Sequence, residues 1–70
     1  MIELEKNTRE VIRISKNTYK EKEYVDLRVY FKDKNSGDMC PTKKGISILS
    51  SNFKTLMKGL CDFADQEGLS

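Results

Sequence analysis

One stretch of alternating residues, EYVDLRVYFK at positions 23–32, decides the fold. Its apolar side chains occupy every second position, at Val25, Leu27, Val29 and Phe31. Successive side chains on a β-strand point to opposite faces of the sheet, so this alternation predicts a strand. One face of this strand is apolar, and the other face mixes aromatic with charged side chains.

The residues on either side of this strand predict the rest of a sheet. Upstream, the β-branched segment Arg9–Lys16 predicts a first strand, and the polar segment Asn17–Lys22 predicts the turn that follows it. Downstream, Asp33–Asp38 has the composition of a hairpin loop in which Gly37 takes a positive φ.

Two further strands are predicted after this loop. Met39–Pro41 is expected to form at most a short edge strand, because Pro41 has no N–H to donate to a neighbouring strand. Lys44–Leu49 alternates again, with Ile46 and Ile48 on one side, and predicts the fourth strand.

From Ser50 onward the spacing of the apolar residues changes to that of a helix. Six residues recur at helical intervals: Phe53, Leu56, Met57, Leu60, Cys61 and Ala64. At about 100° per residue they cover an arc of about 140°. Ser50 or Ser51 is expected to cap the N-terminus, and Gly68 is expected to end the helix. The sequence therefore predicts an α+β fold, with four strands followed by one C-terminal amphipathic helix.

Seventy residues make one small domain, 1–70, with an expected core at 9–67. A chain of this size buries only about 60% of its unfolded surface, and disulfides, a metal or oligomerisation commonly compensate. Two cysteines and no His provide neither a disulfide framework nor a zinc ligand set. Of the three, only oligomerisation remains. We expect it to occur through the helix face formed by Phe53, Leu56, Met57, Leu60 and Ala64. The alternative is a monomer whose own sheet covers this face.

Composition also excludes several functional classes. No apolar run approaches the roughly 18 residues of a membrane span, and the N-terminus MIELEK is too charged for a secretory signal. The chain has no His for proton transfer near neutral pH, no dinucleotide-binding fingerprint and no phosphate-binding loop motif. We therefore expect a binding module that is not an enzyme and carries no cofactor or metal.

Positive charge is concentrated in the first two-thirds of the chain. Residues 1–49 carry eleven Lys/Arg against eight Asp/Glu, whereas residues 50–70 carry two against three. On the predicted strands and turns, basic and aromatic residues are interleaved: Tyr19, Lys20, Lys22, Arg28, Tyr30, Phe31, Lys32, Lys43 and Lys44. Single-stranded nucleic acid suits this mixture, because cations contact its phosphates while flat side chains stack on its unpaired bases. The residues alone leave open a core position for Phe31 and a solubilising role for the lysines.

Two stretches and the helix carry a more specific pattern. In YVDLRVYF (24–31), an aspartate, an aliphatic residue and an arginine precede paired aromatics. PTKKGIS (41–47) is followed by an aromatic residue on the first helical turn. Over about residues 9–64 the chain resembles the single-stranded-DNA-binding domain of the positive cofactor four family of transcriptional coactivators.

The resemblance implies a curved four-stranded antiparallel sheet followed by one helix, with a twofold dimer formed through the helices. It also implies seven DNA-contacting residues: Tyr19, Lys20 and Lys22 on a turn, Arg28 on a strand, Phe31 as the stacking aromatic, and the basic pair Lys43 and Lys44. Cys40 stands where the family often has lysine, and Phe31 stands where it usually has tryptophan. The short segment before the first predicted strand favours the compact bacterial, archaeal or phage form.

The function expected from this resemblance is sequence-independent binding of single-stranded DNA by a homodimer, in transcription, replication or repair. Two alternatives stay open: an RNA-binding module, because nothing in the sequence excludes a 2′-hydroxyl, and an adaptor that docks an acidic protein of the transcription machinery. The expected partners are single-stranded DNA, a second copy and transcription or replication proteins. The expected location is intracellular: the cytoplasm or nucleoid of a bacterium, or the host cytoplasm for a phage protein.

Overall fold

The computed structural model describes residues 1–69. In chain order the elements are β1 (Ile2–Glu5), β2 (Glu10–Tyr19), β3 (Lys22–Lys32), β4 (Met39–Leu49), a 3-10 turn (Ser50–Asn52) and α1 (Phe53–Gln66). The strands form one curled antiparallel sheet in the order β1-β2-β3-β4. The predicted fold class is confirmed: four antiparallel strands are followed by one C-terminal helix.

The strand β1 was not predicted from the sequence. It pairs with β2 so that Ile2 and Leu4 lie opposite Ile14 and Ile12 and extend the apolar face of the sheet. The alternation of apolar and acidic residues over 2–5 was a weak signal for this strand. Since only four residues alternate, the pattern identifies a strand only once the neighbour that it pairs with is known.

The turn between β2 and β3 is shorter than predicted. Only Lys20 and Glu21 lie between the strands, with φ values of 50° and 66°. Two-residue hairpin loops favour positive φ because it matches the twist of the flanking strands. The prediction of a turn over Asn17–Lys22 is therefore wrong in its length. The short turn was missed because its loop lacks the Asn-Gly type of pair that marks such turns in a sequence.

Residues 39–49 form one strand rather than the two predicted ones. Pro41 lies opposite Tyr30 and Gly45 lies opposite Arg28, so residues 42–44 bulge out opposite Val29. Because β4 is an edge strand, Pro41 and the bulge are tolerated without ending the strand. Beyond β3, the loop over 33–38 is present as predicted, with Gly37 at φ 77°.

The ends of α1 differ in how well they were predicted. The helix begins at Phe53, and Asn52 makes no capping hydrogen bond with its side chain, so the predicted cap on Ser50 or Ser51 is wrong. Ser50 and Ser51 form the 3-10 turn instead. The predicted stop at Gly68 is confirmed: this residue has φ 68°, and the Leu69 N–H donates to the Ala64 carbonyl at 2.7 Å.

The molecule is a flat plate with a very small core. It measures 41 × 37 × 18 Å, and its radius of gyration is 14.2 Å, against about 11 Å for a compact chain of this length. Val29 is the one apolar residue among those described that is buried, and α1 has no buried residue. On the helix, Met57, Leu60 and Phe63 are about half exposed. The apolar face of α1 is therefore not covered by the sheet of this chain.

Candidate nucleic-acid interface

Three of the predicted contact residues lie together at the β2–β3 turn. Tyr19 ends β2, Lys22 begins β3 directly opposite it, and Lys20 is the first of the two turn residues. Tyr19 is 62% exposed, and the Lys20 ammonium lies 5.4 Å from the centre of its ring. This turn therefore presents an exposed aromatic ring among cations.

Arg28 lies in the middle of β3 and is held by its neighbours. Its Nε and Nη2 donate to the two carboxylate oxygens of Asp26 at 3.2 and 3.1 Å, and its Nη1 donates to the Thr42 carbonyl at 2.9 Å. The hydrogen bond to Asp26 raises the pKa of the Arg28 guanidinium above its ordinary value. Three of five N–H donors are thus engaged within the chain, and two remain for a ligand.

Lys43 and Lys44 lie on the bulge of β4, which is held to β3. The Thr42 hydroxyl donates to the Val29 carbonyl at 2.9 Å and accepts from the Lys44 N–H at 3.1 Å. Gly45, which follows the bulge, lies against the β3 backbone, where a Cβ would come within 2.5 Å of the Leu27 carbonyl oxygen. Both lysine side chains are exposed on this constrained backbone.

Phe31 is 41% exposed near the end of β3, although it shares the apolar face with Val29. It lines a groove of about 770 Å³ together with Arg9, Lys32 and Lys34. Sequence reasoning did not assign Arg9 and Lys34 to the site. Arg9 lies beside Phe31 because Glu10 pairs with Phe31, which the sequence did not reveal, whereas Lys34 follows Phe31 by only three residues.

Glu10 lies in the same groove and supplies negative charge. A hydrogen bond from Asn7 lowers the pKa of its carboxyl, and a hydrogen bond from Lys6 and the charge of Lys44 act in the same direction. The Asn7 amide donates to Glu10 at 2.8 Å, and the Lys6 ammonium donates at 3.1 Å. Glu10 therefore places a negative charge beside Phe31, held there by Asn7 and Lys6.

The predicted residues therefore fall into two groups rather than one. Tyr19 pairs with Lys22 at one end of the β2–β3 ladder, and Phe31 pairs with Glu10 at the other end. Phe31 lies nine positions after Lys22 on β3, which corresponds to about 30 Å. Strand alternation also places the Tyr19 and Phe31 side chains on opposite faces of the sheet.

A second groove, of about 500 Å³, lies on the mixed face of the sheet beside Tyr19. Tyr24, Arg28, Asn17 and Ser47 also line it. The alternation over 23–32 already placed Tyr24 and Arg28 on one face. The sequence could not indicate that Asn17 and Ser47 join them, because this depends on the register of β2 and β4.

Two features are absent from residues 1–69, the part of the chain that the structure describes. No helix there is long and apolar enough to cross a membrane. No group of three or more acidic, cysteine or histidine side chains there could hold a metal ion.

Comparisons with known proteins identify the family. Residues 6–59 match the family model described as Transcriptional Coactivator p15 (PC4). A crystal structure of a PC4 homologue from Burkholderia pseudomallei is 33% identical, with a TM-score of 0.82, and the match covers 91% of this chain and 85% of that one. A second crystal form of the same protein has a TM-score of 0.81 at the same identity, with 91% and 93% covered.

A bacteriophage T5 homologue of the eukaryotic coactivator PC4, implicated in recombination-dependent DNA replication, shares the fold. Its TM-score is 0.78 at 20% identity, and the match covers 97% of this chain and 78% of that one. No curated protein matches the sequence. These similar structures come from a bacterium and a phage, which agrees with the compact form expected from the sequence. The chain belongs to the Transcriptional Coactivator p15 (PC4) family.

Proposed function

We propose that this chain binds single-stranded DNA as a homodimer, without reading a base sequence. Membership of the PC4 family makes it a non-enzymatic, DNA-binding, coactivator-like protein; the single-stranded target and the dimer are the proposal. The observation that carries it is the exposure of Tyr19 and Phe31, each beside cations. Exposed rings can stack on unpaired bases, whereas a duplex hides its base faces.

The phosphates would be contacted by the exposed lysines at the turn and on the bulge: Lys20, Lys22, Lys43 and Lys44. Arg28 would add a contact through the two N–H groups that Asp26 and Thr42 leave free. Such contacts depend on the sugar-phosphate backbone and carry no direct base information. Binding would therefore tolerate any base sequence, as stacking also does.

The dimer is supported by the surface area that the protomer exposes. This area is 5908 Å², whereas a compact monomer of 8.1 kDa exposes about 4,500 Å². The excess of about 1,400 Å² lies in the range that each subunit of an obligate dimer buries. The interface would be built on the apolar helix face, formed by Phe53, Leu56, Met57, Leu60 and Ala64.

A salt titration of binding to an unstructured oligonucleotide tests the function. A single-strand binder shows an affinity that falls steeply with salt, because phosphate contacts release counterions. An adaptor for an acidic protein would show little affinity for the oligonucleotide, and a tighter complex with RNA of the same sequence would favour the RNA-binding alternative. Such binding would serve transcription, replication or repair; the T5 homologue is implicated in replication.

Replacing Phe31 with alanine is expected to weaken binding to the oligonucleotide by about 1–3 kcal/mol, because one stacking surface is lost. The salt dependence should stay nearly unchanged, since stacking releases no counterions. Affinity and melting temperature are measured together. Ile46→Ala is the control, because Ile46 is 52% exposed on the same face and carries no ring. If Phe31→Ala instead lost about 3–5 kcal/mol of stability and bound normally when folded, Phe31 would be a core residue.

Replacing Lys44 with alanine is expected to change the salt dependence itself. The loss of one phosphate contact on a single strand should reduce the slope of log affinity against log salt by about 0.7. Lys58→Ala removes the same charge from the helix, where Lys58 pairs with Asp62 at 3.2 Å, and serves as the control with an unchanged slope. Equal slopes for the wild type and Lys44→Ala would remove Lys44 from the interface.

A further inference from the structure

The two edges of the sheet differ in how they are protected against pairing with another chain. An edge strand presents unpaired N–H and C=O groups, and proteins commonly blunt such an edge with proline, a bulge or lysine. The β4 edge has all three, in Pro41, the bulge over 42–44, and Lys43 and Lys44. The β1 edge, Ile2–Glu5, has none of them. The β1 edge is therefore the one at which a further strand can be added.

The backbone groups that face outward at the β1 edge belong to Glu3 and Glu5. In an antiparallel ladder, residues that exchange hydrogen bonds with the neighbouring strand alternate with residues whose N–H and C=O point away from it. The Lys6 N–H donates to the Glu10 carbonyl at 3.1 Å, and the register of β1 with β2 places Leu4 in the next pair of the same kind. Glu3 and Glu5 lie at the positions in between, so each presents a donor and an acceptor outward.

The side chains of β1 define the chemistry of a strand that fits beside it. Ile2 and Leu4 are exposed on the apolar face of the sheet. Glu3 and Glu5 are exposed on the opposite face, where only Oε2 of Glu3 is within 2.8 Å of Arg13. Directly opposite side chains on neighbouring strands share a face, and opposite charges there attract each other. The matching strand therefore alternates apolar with basic residues.

The same carboxylates disfavour two other occupants of the β1 edge. If β1 paired with β1 of a second copy along most of its length, glutamate would lie opposite glutamate, and like charges at such positions repel each other. The carboxylates also repel the phosphates of a nucleic acid. The cations proposed to bind phosphate, Lys43 and Lys44, lie on the other edge of the sheet. A basic, extended peptide is left as the occupant.

We infer that the β1 edge binds an extended segment of a partner protein, in which apolar and basic residues alternate, as a fifth strand antiparallel to β1. The main chain of this segment hydrogen-bonds with Glu3 and Glu5, and its basic side chains lie opposite their carboxylates. Its apolar side chains lie beside Ile2 and Leu4. This inference does not depend on the proposed single-strand binding, and it gives the chain a protein-docking edge apart from the residues proposed to contact DNA.

A fluorescently labelled synthetic peptide of alternating valine and lysine is the probe, and a peptide of alternating valine and glutamate is its control. We expect the wild type to bind the first peptide and not the second. The amide protons of Glu3 and Glu5 should then become protected from exchange with solvent, because they enter hydrogen bonds with the added strand. Glu5→Lys should weaken binding of the valine–lysine peptide about twofold to thirtyfold and allow the valine–glutamate peptide to bind.

Glu5→Pro tests the contact with the backbone. The Glu5 N–H points away from β2, so proline removes an outward donor without removing a hydrogen bond of the sheet. We expect Glu5→Pro to weaken binding of the valine–lysine peptide about tenfold and to leave the oligonucleotide affinity unchanged. Glu5→Gln is the matched control: it removes the charge alone and should weaken peptide binding less than Glu5→Pro does.

Three results would overturn the inference. The first is equal binding of the two peptides by the wild type, or binding without protection of the Glu3 and Glu5 amides. The second is an assembly larger than a dimer that Glu5→Pro dissociates, which would assign the edge to a second copy. The third is a loss of oligonucleotide affinity in folded Glu5→Pro, which would assign the edge to nucleic acid. If Glu5→Pro does not fold, the exchange protection in the wild type and the charge reversal in Glu5→Lys decide the outcome.

Discussion

Leu60→Asp is expected to abolish the proposed helix-to-helix dimer. Leu60 is 56% exposed in the protomer and lies in the middle of the apolar helix face. In a helix-to-helix interface its replacement would place an unpaired carboxylate among apolar side chains, and burying such a charge is strongly unfavourable. With Val29 as the one buried apolar residue among those described, the separated protomer has little core to keep it folded. The variant should therefore be monomeric or unfolded and should lose its oligonucleotide affinity.

Light scattering or sedimentation equilibrium at micromolar concentration measures this effect. The wild type should show twice the protomer mass of 8.1 kDa. Thr55→Asp is the matched control, because Thr55 is exposed on the opposite side of the same helix and accepts the same charge without entering the interface. A monomeric wild type, or a Leu60→Asp variant that remains a dimer of normal stability, would rule out the helix-mediated dimer.

Gly45→Ala is expected to destabilise the protein by about 3 kcal/mol, which lowers the melting temperature by about 10–20 °C. The added Cβ would lie 2.5 Å from the Leu27 carbonyl oxygen and 2.9 Å from the Arg28 Cα. These are backbone atoms of the central strand β3, so they cannot move aside as the end of a flexible side chain can. The bulge would have to shift, and Lys43 and Lys44 would shift with it.

Thermal unfolding followed by circular dichroism measures the loss of stability, and oligonucleotide affinity of the folded variant measures the displacement of the lysines. Gly59→Ala provides the control, because a Cβ at Gly59 meets no atom within 4 Å and alanine favours a helix over glycine by up to about 1 kcal/mol. If Gly45→Ala were instead as stable as the wild type, this would show that β4 does not approach the β3 backbone closely at Gly45.

The sequence predicted the fold class because its two periodic patterns are strong and local. The alternation over 23–32 and the helical spacing from Phe53 to Ala64 each depend on residues close together in the chain. Apart from the helix cap and the length of the β2–β3 turn, which are local, the errors occurred where long-range pairing decides the outcome. β1 is too short to be recognised without β2, and Pro41 stays within β4 because that strand lies at the edge of the sheet.

The candidate site was predicted less completely than the fold. The basic and aromatic residue types were visible in the sequence, and the family resemblance named seven of them. Their division into two groups was not visible, since it depends on the register that pairs Tyr19 with Lys22 and Glu10 with Phe31. The same register adds Arg9 to the Phe31 groove.

The sequence by itself determined which faces are apolar, since side-chain direction follows from the backbone period of a strand or helix. It also determined that the chain is too short to bury a large core. Only the tertiary structure decided which residues from different strands meet. Arg28 donates to the Thr42 carbonyl, and the Thr42 hydroxyl holds the bulge of β4 to Val29, because the strand register brings these groups within hydrogen-bonding distance. Such contacts join residues up to 14 positions apart, and no local pattern encodes a distance across neighbouring strands.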